Sequence, residues 1–241
     1  MSDATAVAFV AGATGYTGRE VVAALARRGV RTVAHVRPGS ASAATWRERF
    51  ATLGATVDET PWEERAMHDT LGRIKPTHVF ALLGTTSSRA AREGLQDAYE
   101  RVDYGLSSLL LRAAVAAGTS PRFVFLSALG VREGTRNPYL AARVKLEREL
   151  RQSGLPALIV RPAFVTGSDR DEFRAMERVA GIATDALLAL AGLLGARALR
   201  ARWSSLTGAE LGEGMVTLAL AAGVPDRAAD PADIRRALRA E

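Results

Sequence analysis

Five apolar residues, Val7-Ala8-Phe9-Val10-Ala11, run directly into Gly12-Ala13-Thr14-Gly15-Tyr16-Thr17-Gly18, and a helical pattern opens with Arg19-Glu20-Val21-Val22. A strand, a glycine turn and a helix in that order restrict the chain to few folds. Gly12 permits a sharp turn, Gly15 lets backbone approach a pyrophosphate, and Gly18 lets the helix pack close to the sheet. The helix N-terminus then offers free N–H groups and a partial positive charge to phosphates. The spacing identifies Gly12, Thr14, Gly15, Tyr16, Thr17 and Gly18 as dinucleotide-binding residues.

Strand-length apolar runs alternate with helical patterns through most of the 241 residues. Strands are expected at Val7–Ala11, Arg31–Val36, Ala55–Asp58, Thr77–Leu83, Arg122–Ser127 and Ala157–Arg161. Helices are expected at Gly15–Arg28, Ala43–Leu53, from Pro61, at Gly94–Ala117 and at Tyr139–Gln152. Such alternation implies parallel strands with crossover helices, hence an α/β fold of Rossmann type with a doubly wound sheet. After Gly167 helical segments dominate, with Ala-Leu-rich stretches at Ile182–Leu199 and Leu206–Ala222. We expect one domain over residues 1–241, with 168–241 forming a small, mostly helical substrate cap. Ligands of doubly wound sheets bind beyond the carboxyl ends of the strands.

The second strand ends His35-Val36-Arg37-Pro38. NAD-specific proteins usually place a carboxylate there for the ribose 2′-hydroxyl. This chain has none, and Arg37 can pair with a 2′-phosphate. The expected cofactor is therefore NADP.

Composition narrows the remaining classes. The apolar fraction of 48% and charged fraction of 24% suit a globular protein. Without cysteine, and with only His35, His68 and His78, no metal site is expected. The net charge is +6. Basic residues are nevertheless scattered among acidic ones, as in Leu146-Glu147-Arg148-Glu149-Leu150, so no nucleic-acid partner is expected. Lysine occurs only at Lys75 and Lys145, and arginine takes its place elsewhere. The polar Met1–Thr5 lacks a signal-peptide pattern. Ala186–Ala196, about half of a bilayer span, is expected to be a packed helix. We expect a cytoplasmic chain that is not anchored in a membrane; its oligomeric state is open.

The glycine turn, Leu83-Gly84-Thr85-Thr86, Leu126-Ser127, Tyr139 and Arg161-Pro162 together resemble the atypical short-chain dehydrogenase/reductases. The similarity is to their small NmrA-like and Tat-interacting-oxidoreductase-like NAD(P)H-binding members. It covers Val7 to Gly167, and Leu206–Gly212 is similar to the C-terminal helix of these proteins. The resemblance implies a serine, a tyrosine and a lysine four residues after the tyrosine as chemical groups. Ser127 and Tyr139 match, but the third position holds Arg143. Lys145 is about 240° around the helix and cannot face the same ribose. Arg143 inherits the role. The resemblance further implies that Leu83, Gly84 and Thr85 line the cofactor, and that Pro162, Ala163, Phe164 and Val165 contact the nicotinamide ring. Asp103 lies where many relatives have Asn or Asp. The implied activity is NADP(H)-dependent hydride transfer to or from a small-molecule carbonyl or hydroxyl, with a largely apolar substrate. The alternative is a catalytically silent NADP(H)-binding redox sensor that acts through a protein partner.

Overall fold

In the computed structural model, residues 6–85, 97–163, 165–166, 205–223 and 228–240 are described. The elements run β1 (Val7–Ala11), α1 (Tyr16–Arg27), β2 (Arg31–His35), α2 (Ala43–Thr52), β3 (Thr56–Asp58), α3 (Glu64–Ile74) and β4 (His78–Ala81). A π-helical segment, Tyr99–Leu106, continues into α4 (Ser107–Ala116). Then follow β5 (Arg122–Leu126), α5 (Pro138–Gln152), β6 (Ala157–Val160), β7 (Val165–Thr166), β8 (Leu206–Thr207), α6 (Gly208–Leu220) and α7 (Pro231–Arg239). The main sheet has the order β3-β2-β1-β4-β5-β6, and every pairing is parallel. This is the doubly wound Rossmann arrangement, with its order reversing between β1 and β4.

Side-chain alternation along the strands divides the core into two layers. Val10, Phe80, Val124 and Leu158 face α1 and α6, where Val21, Val22, Leu25, Leu211 and Met215 meet them. Phe9, Val79, Phe123, Phe125 and Ile159 face the other way, toward Met67, Leu71, Leu110, Leu111, Leu146 and Leu150. Each such buried Leu or Phe contributes about 1.5–3 kcal/mol relative to exposure. The sheet is thus a rigid base for the loops at its carboxyl edge.

Several boundaries differ from the sequence expectation. Pro61 does not open a helix; α3 starts at Glu64. The Asp58 carboxylate instead accepts from Thr60 N and Thr60 Oγ1, and Glu63 N donates to the Pro61 carbonyl, so a turn precedes the helix. The expected long helix before β5 carries a π-helical stretch at Tyr99–Leu106. β4 ends at Ala81 rather than Leu83, leaving Leu83 to Thr85 as loop.

Of the expected cap, the described residues include α6 and α7. α6 lies along α1 and against α7. A capping box of Thr207 and Glu210 opens α6, and one of Asp230 and Asp233 opens α7. The expected helix at Ala186–Ala196 lies outside the described residues. Among the described residues, no helix is long and apolar enough to cross a membrane.

Candidate functional site

The carboxyl edges of β1, β2 and β4 enclose a cavity of about 200 Å³. Gly12, Thr14 and Gly15 form one wall, His35, Arg37 and Trp62 a second, and Leu82 to Thr85 a third. Val102 and Leu106 of the π-helical segment close it. Loss of glycine would be felt at once. Gly12 has φ of 80°, and a Cβ there would lie 2.6 Å from the Leu82 carbonyl oxygen. A Cβ on Gly18 would lie 2.1 Å from the Gly12 carbonyl oxygen, and one on Gly15 3.2 Å from that same atom. The turn therefore folds back on itself as tightly as a backbone allows, with Gly15 exposed at its crest. This is a cradle for an extended phosphate group at the start of α1, and the residues fit a dinucleotide.

The second wall gives the cavity its charge. His35 is buried, donates from Nε2 to the Thr60 carbonyl oxygen at 2.8 Å, and has its ring 4.6 Å from that of Trp62. Burial pushes its pKa down, against the opposing pull of the Thr60 carbonyl and of Asp58 and Glu59. Arg37 stands exposed at the mouth. Among the described residues no carboxylate lines the cavity, because Asp58 is turned onto Thr60.

Beside the third wall lies a chain of polar contacts. Thr85 N donates to Asp103 Oδ2 at 2.9 Å, and Arg143 Nη1 donates to Asp103 Oδ1 at 3.0 Å. The Arg143 guanidinium lies over the Tyr139 ring, 4.2 Å from its centroid. The Tyr99 ring meets the Tyr139 ring edge-on at 5.5 Å. Asp103 and Arg143 are both buried. Burial pushes the Asp103 carboxyl up, opposed by the Arg143 charge and the Thr85 N–H. Arg143 Nε is buried without a hydrogen-bond partner among the described residues. Tyr139 is held at the start of α5 by Asn137, whose side chain accepts from Leu140 N, and by Pro138 in the first turn.

Ser127 is placed elsewhere. Its Oγ donates to Glu147 Oε1 at 2.6 Å. Glu147 also accepts from Arg161 Nε at 2.9 Å and from Arg151 Nη2 at 2.7 Å. Burial alone would raise the Glu147 pKa, but the bonds from Arg161, Ser127 and Arg151 hold it below the usual carboxylate value. An ionised Glu147 takes the only proton Ser127 has to offer. In this arrangement the Ser127 hydroxyl proton is directed at Glu147. The next residue is Ala128, which carries no hydroxyl.

The remaining expected residues are distributed as follows. Thr17 lies in the first turn of α1. Gly208 N donates to the Tyr16 Oη at 3.4 Å. Lys145 pairs with Glu100 at 2.6 Å on the surface, away from Tyr139. The Pro162 carbonyl accepts from Leu129 N at 2.9 Å, and Val165 starts β7. Phe164 and Thr86 lie outside the described residues. Tyr99 and Glu147 are site residues that the sequence reading does not point to. Glu147 had a signal, since Arg143, Glu147 and Arg151 recur every four residues on one face of α5.

A family model described as NAD(P)H-binding matches residues 12–185, from the first turn glycine to beyond β7. The chain belongs to this NAD(P)H-binding family. Within this family's range it is 32% identical over 166 residues to a ceramide reductase of Caulobacter vibrioides, covering 69% of this chain and 48% of that protein. It is 28% identical over 161 residues to the mitochondrial protein FMP52 of Debaryomyces hansenii, covering 66% of this chain and 67% of the relative. The chain thus spans about half the length of the ceramide reductase. Among solved structures, the leucoanthocyanidin reductase–NADPH complex from Vitis vinifera superposes with a TM-score of 0.64. It is 17% identical and covers 92% of this chain and 67% of the other, a likeness of fold.

Proposed function

We propose that this NAD(P)H-binding protein is an NADP(H)-dependent oxidoreductase acting on a carbonyl or hydroxyl carbon of a small, largely apolar molecule, with Tyr139 as proton donor. The observation that carries the reading is the placement of Tyr139. Its ring is clamped between Arg143 and Tyr99, and Asp103 links Arg143 to the Thr85 backbone at the cavity wall. When bound, the dinucleotide supplies or accepts the hydride.

The protein's part is binding, orientation and proton transfer. The glycine turn and the α1 N-terminus hold the pyrophosphate, and Arg37 holds the 2′-phosphate. Arg143 Nε remains as a donor for the cofactor's sugar. The Tyr139 hydroxyl gives its proton to the forming alkoxide, or removes it in the oxidative direction. The guanidinium is a fixed cation over the ring, but arginine cannot relay a proton itself. Because Ser127 is bonded to Glu147, Tyr139 is the donor on which the substrate oxygen depends. The ceramide reductase relative supports a reductase reading and an apolar substrate.

A redox-sensing role is the second reading. It is favoured by the same Ser127–Glu147 bond, which directs the Ser127 hydroxyl at a carboxylate, and by Arg143 in the place of the implied lysine. Turnover of a panel of aldehydes, ketones and quinones with NADPH, followed by loss of absorbance, separates the two. The enzyme reading expects at least one substrate to be reduced, and Tyr139→Phe to lower kcat about 10²–10⁴-fold with little change in cofactor affinity. Equal turnover by Tyr139→Phe removes Tyr139 as the acid. Tight NADPH binding with no turnover replaces the enzyme with the sensor.

A further inference from the structure

The segment Leu206-Thr207-Gly208 joins β7 to the first turn of α1 without lining the cavity. Through β8 it pairs with β7, with Val165 opposite Leu206 and Thr166 opposite Thr207. That places it beside the loop that follows β6. Its next residue, Gly208, lies under Tyr16, the first helical residue of the phosphate turn. A Cβ on Gly208 would lie 2.4 Å from Tyr16 Cε1, 2.7 Å from Cζ and 3.0 Å from Oη. The Gly208 N–H points at that hydroxyl.

The helix behind Gly208 has no room to retreat. A Cβ on Gly212 would lie 2.6 Å from Glu20 Cβ and 3.0 Å from Val21 N. One on Gly214 would lie 2.6 Å from Ile234 Cγ2. α6 is therefore seated on α1 on one side and on α7 on the other. Its own first turn is closed by the Thr207–Glu210 capping box, so Thr207 and Glu210 are engaged with each other. A side chain at position 208 must be absorbed by the Tyr16 ring, and Tyr16 belongs to the backbone that cradles the phosphates.

We infer that Gly208 is a positioning residue for the dinucleotide: through Tyr16 it sets the phosphate turn, and cofactor affinity depends on it although it is not among the residues lining the cavity. The inference rests on the cofactor reading of the turn. It predicts an effect on ligands that reach the pyrophosphate position. Adenosine 2′-monophosphate, which engages Arg37 but carries no pyrophosphate, is unaffected.

The test titrates NADPH and adenosine 2′-monophosphate into wild type, Gly208→Ala, Tyr16→Ala, the Tyr16→Ala/Gly208→Ala pair, and Gly72→Ala as a control. Gly72 is a helical glycine with nothing within 4 Å of an added Cβ. Overpacking at Gly208 should weaken NADPH about tenfold. Affinity for adenosine 2′-monophosphate should not change, and Gly72→Ala should match wild type for both ligands. With the ring removed, the added methyl has space, so the double variant should bind NADPH as Tyr16→Ala alone does. If Gly208→Ala fails to fold, a folded double variant that matches Tyr16→Ala supports the inference equally. Wild-type NADPH affinity in Gly208→Ala overturns it. So does parallel loss of both ligands, an additive double variant, or a double variant that also fails to fold. A wild-type protein that binds neither nucleotide removes the cofactor reading together with this inference.

Discussion

The two ends of the cleft are built on opposite plans. At the phosphate end, glycines draw backbone against backbone, and Arg37 stands exposed without an ion-pair partner among the described residues. At the tyrosine end, the ionisable side chains are paired with one another: Arg143 with Asp103, Glu147 with Arg161 and Arg151, Lys145 with Glu100. The first end is shaped to receive charge from outside. The second is held by charge already inside, and Arg143 Nε is left without a partner among the described residues. A substitution at the receiving end should therefore appear as lost affinity, and one at the holding end as lost stability.

The largest effect is expected at the holding end. Asp103→Ala strands Arg143, whose side chain is 7% exposed, as a buried unpaired cation. Removing one partner of such a pair costs about 3–5 kcal/mol, which denaturant titration would detect. Arg143 and Asp103 together replaced by well-packed apolar residues should lose much less. A small loss in Asp103→Ala would mean that the pair is not what holds this end together.

Gly18→Ala tests the boundary between the two plans. Its Cβ would meet the Gly12 carbonyl oxygen and Ala13 Cα at 2.1 and 2.8 Å, contacts with backbone that cannot rotate aside. A loss of about 1–3 kcal/mol of stability is expected, with NADPH binding abolished in the fraction that remains folded. Normal NADPH affinity would show the turn to be more compliant than its geometry implies.

The smallest effect concerns pH. Burial holds His35 and His78 below the ordinary imidazole value of 6.5, in His78 with the Ala219 carbonyl opposing the depression and Arg122 adding to it. The unfolded chain takes up protons near pH 6.5 that the folded chain refuses. The contribution of both groups is therefore present above pH 6.5 and is lost as pH falls from there through the folded values. Calorimetry between pH 7.5 and 5.5 should show Tm falling, with a shallower fall in His35→Gln. An identical slope in that variant would remove His35 from the account.

The same division explains what could be read from the sequence. The receiving end is local: Gly12, Gly15 and Gly18 each answer to a contact within the turn or with the neighbouring strand, so their spacing carries the fold. The holding end is nonlocal. Asp103 and Arg143 are separated by 40 residues, and Ser127 and Glu147 by 20. Ser127 could be assigned from its place after β5, but not the direction of its hydroxyl, because Glu147 reads in isolation as one of many charges on a solvated helix. The π-helical stretch leaves no compositional mark, since it differs from an α-helix only in hydrogen-bond register. α7 was legible in principle: Asp230-Pro231-Ala232-Asp233 is a capping box with proline in the first turn.

The central claim is that the receiving end takes a 2′-phosphorylated dinucleotide. The direct measurement is a fluorescence titration of NADPH and NADH into wild type and Arg37→Ala. A hydrogen bond to a charged group is worth about 1.5–3 kcal/mol. Wild type should accordingly bind NADPH roughly ten- to a hundred-fold more tightly than NADH, and Arg37→Ala should lose most of that preference with unchanged stability. Equal affinities of the wild type for the two dinucleotides would contradict the account.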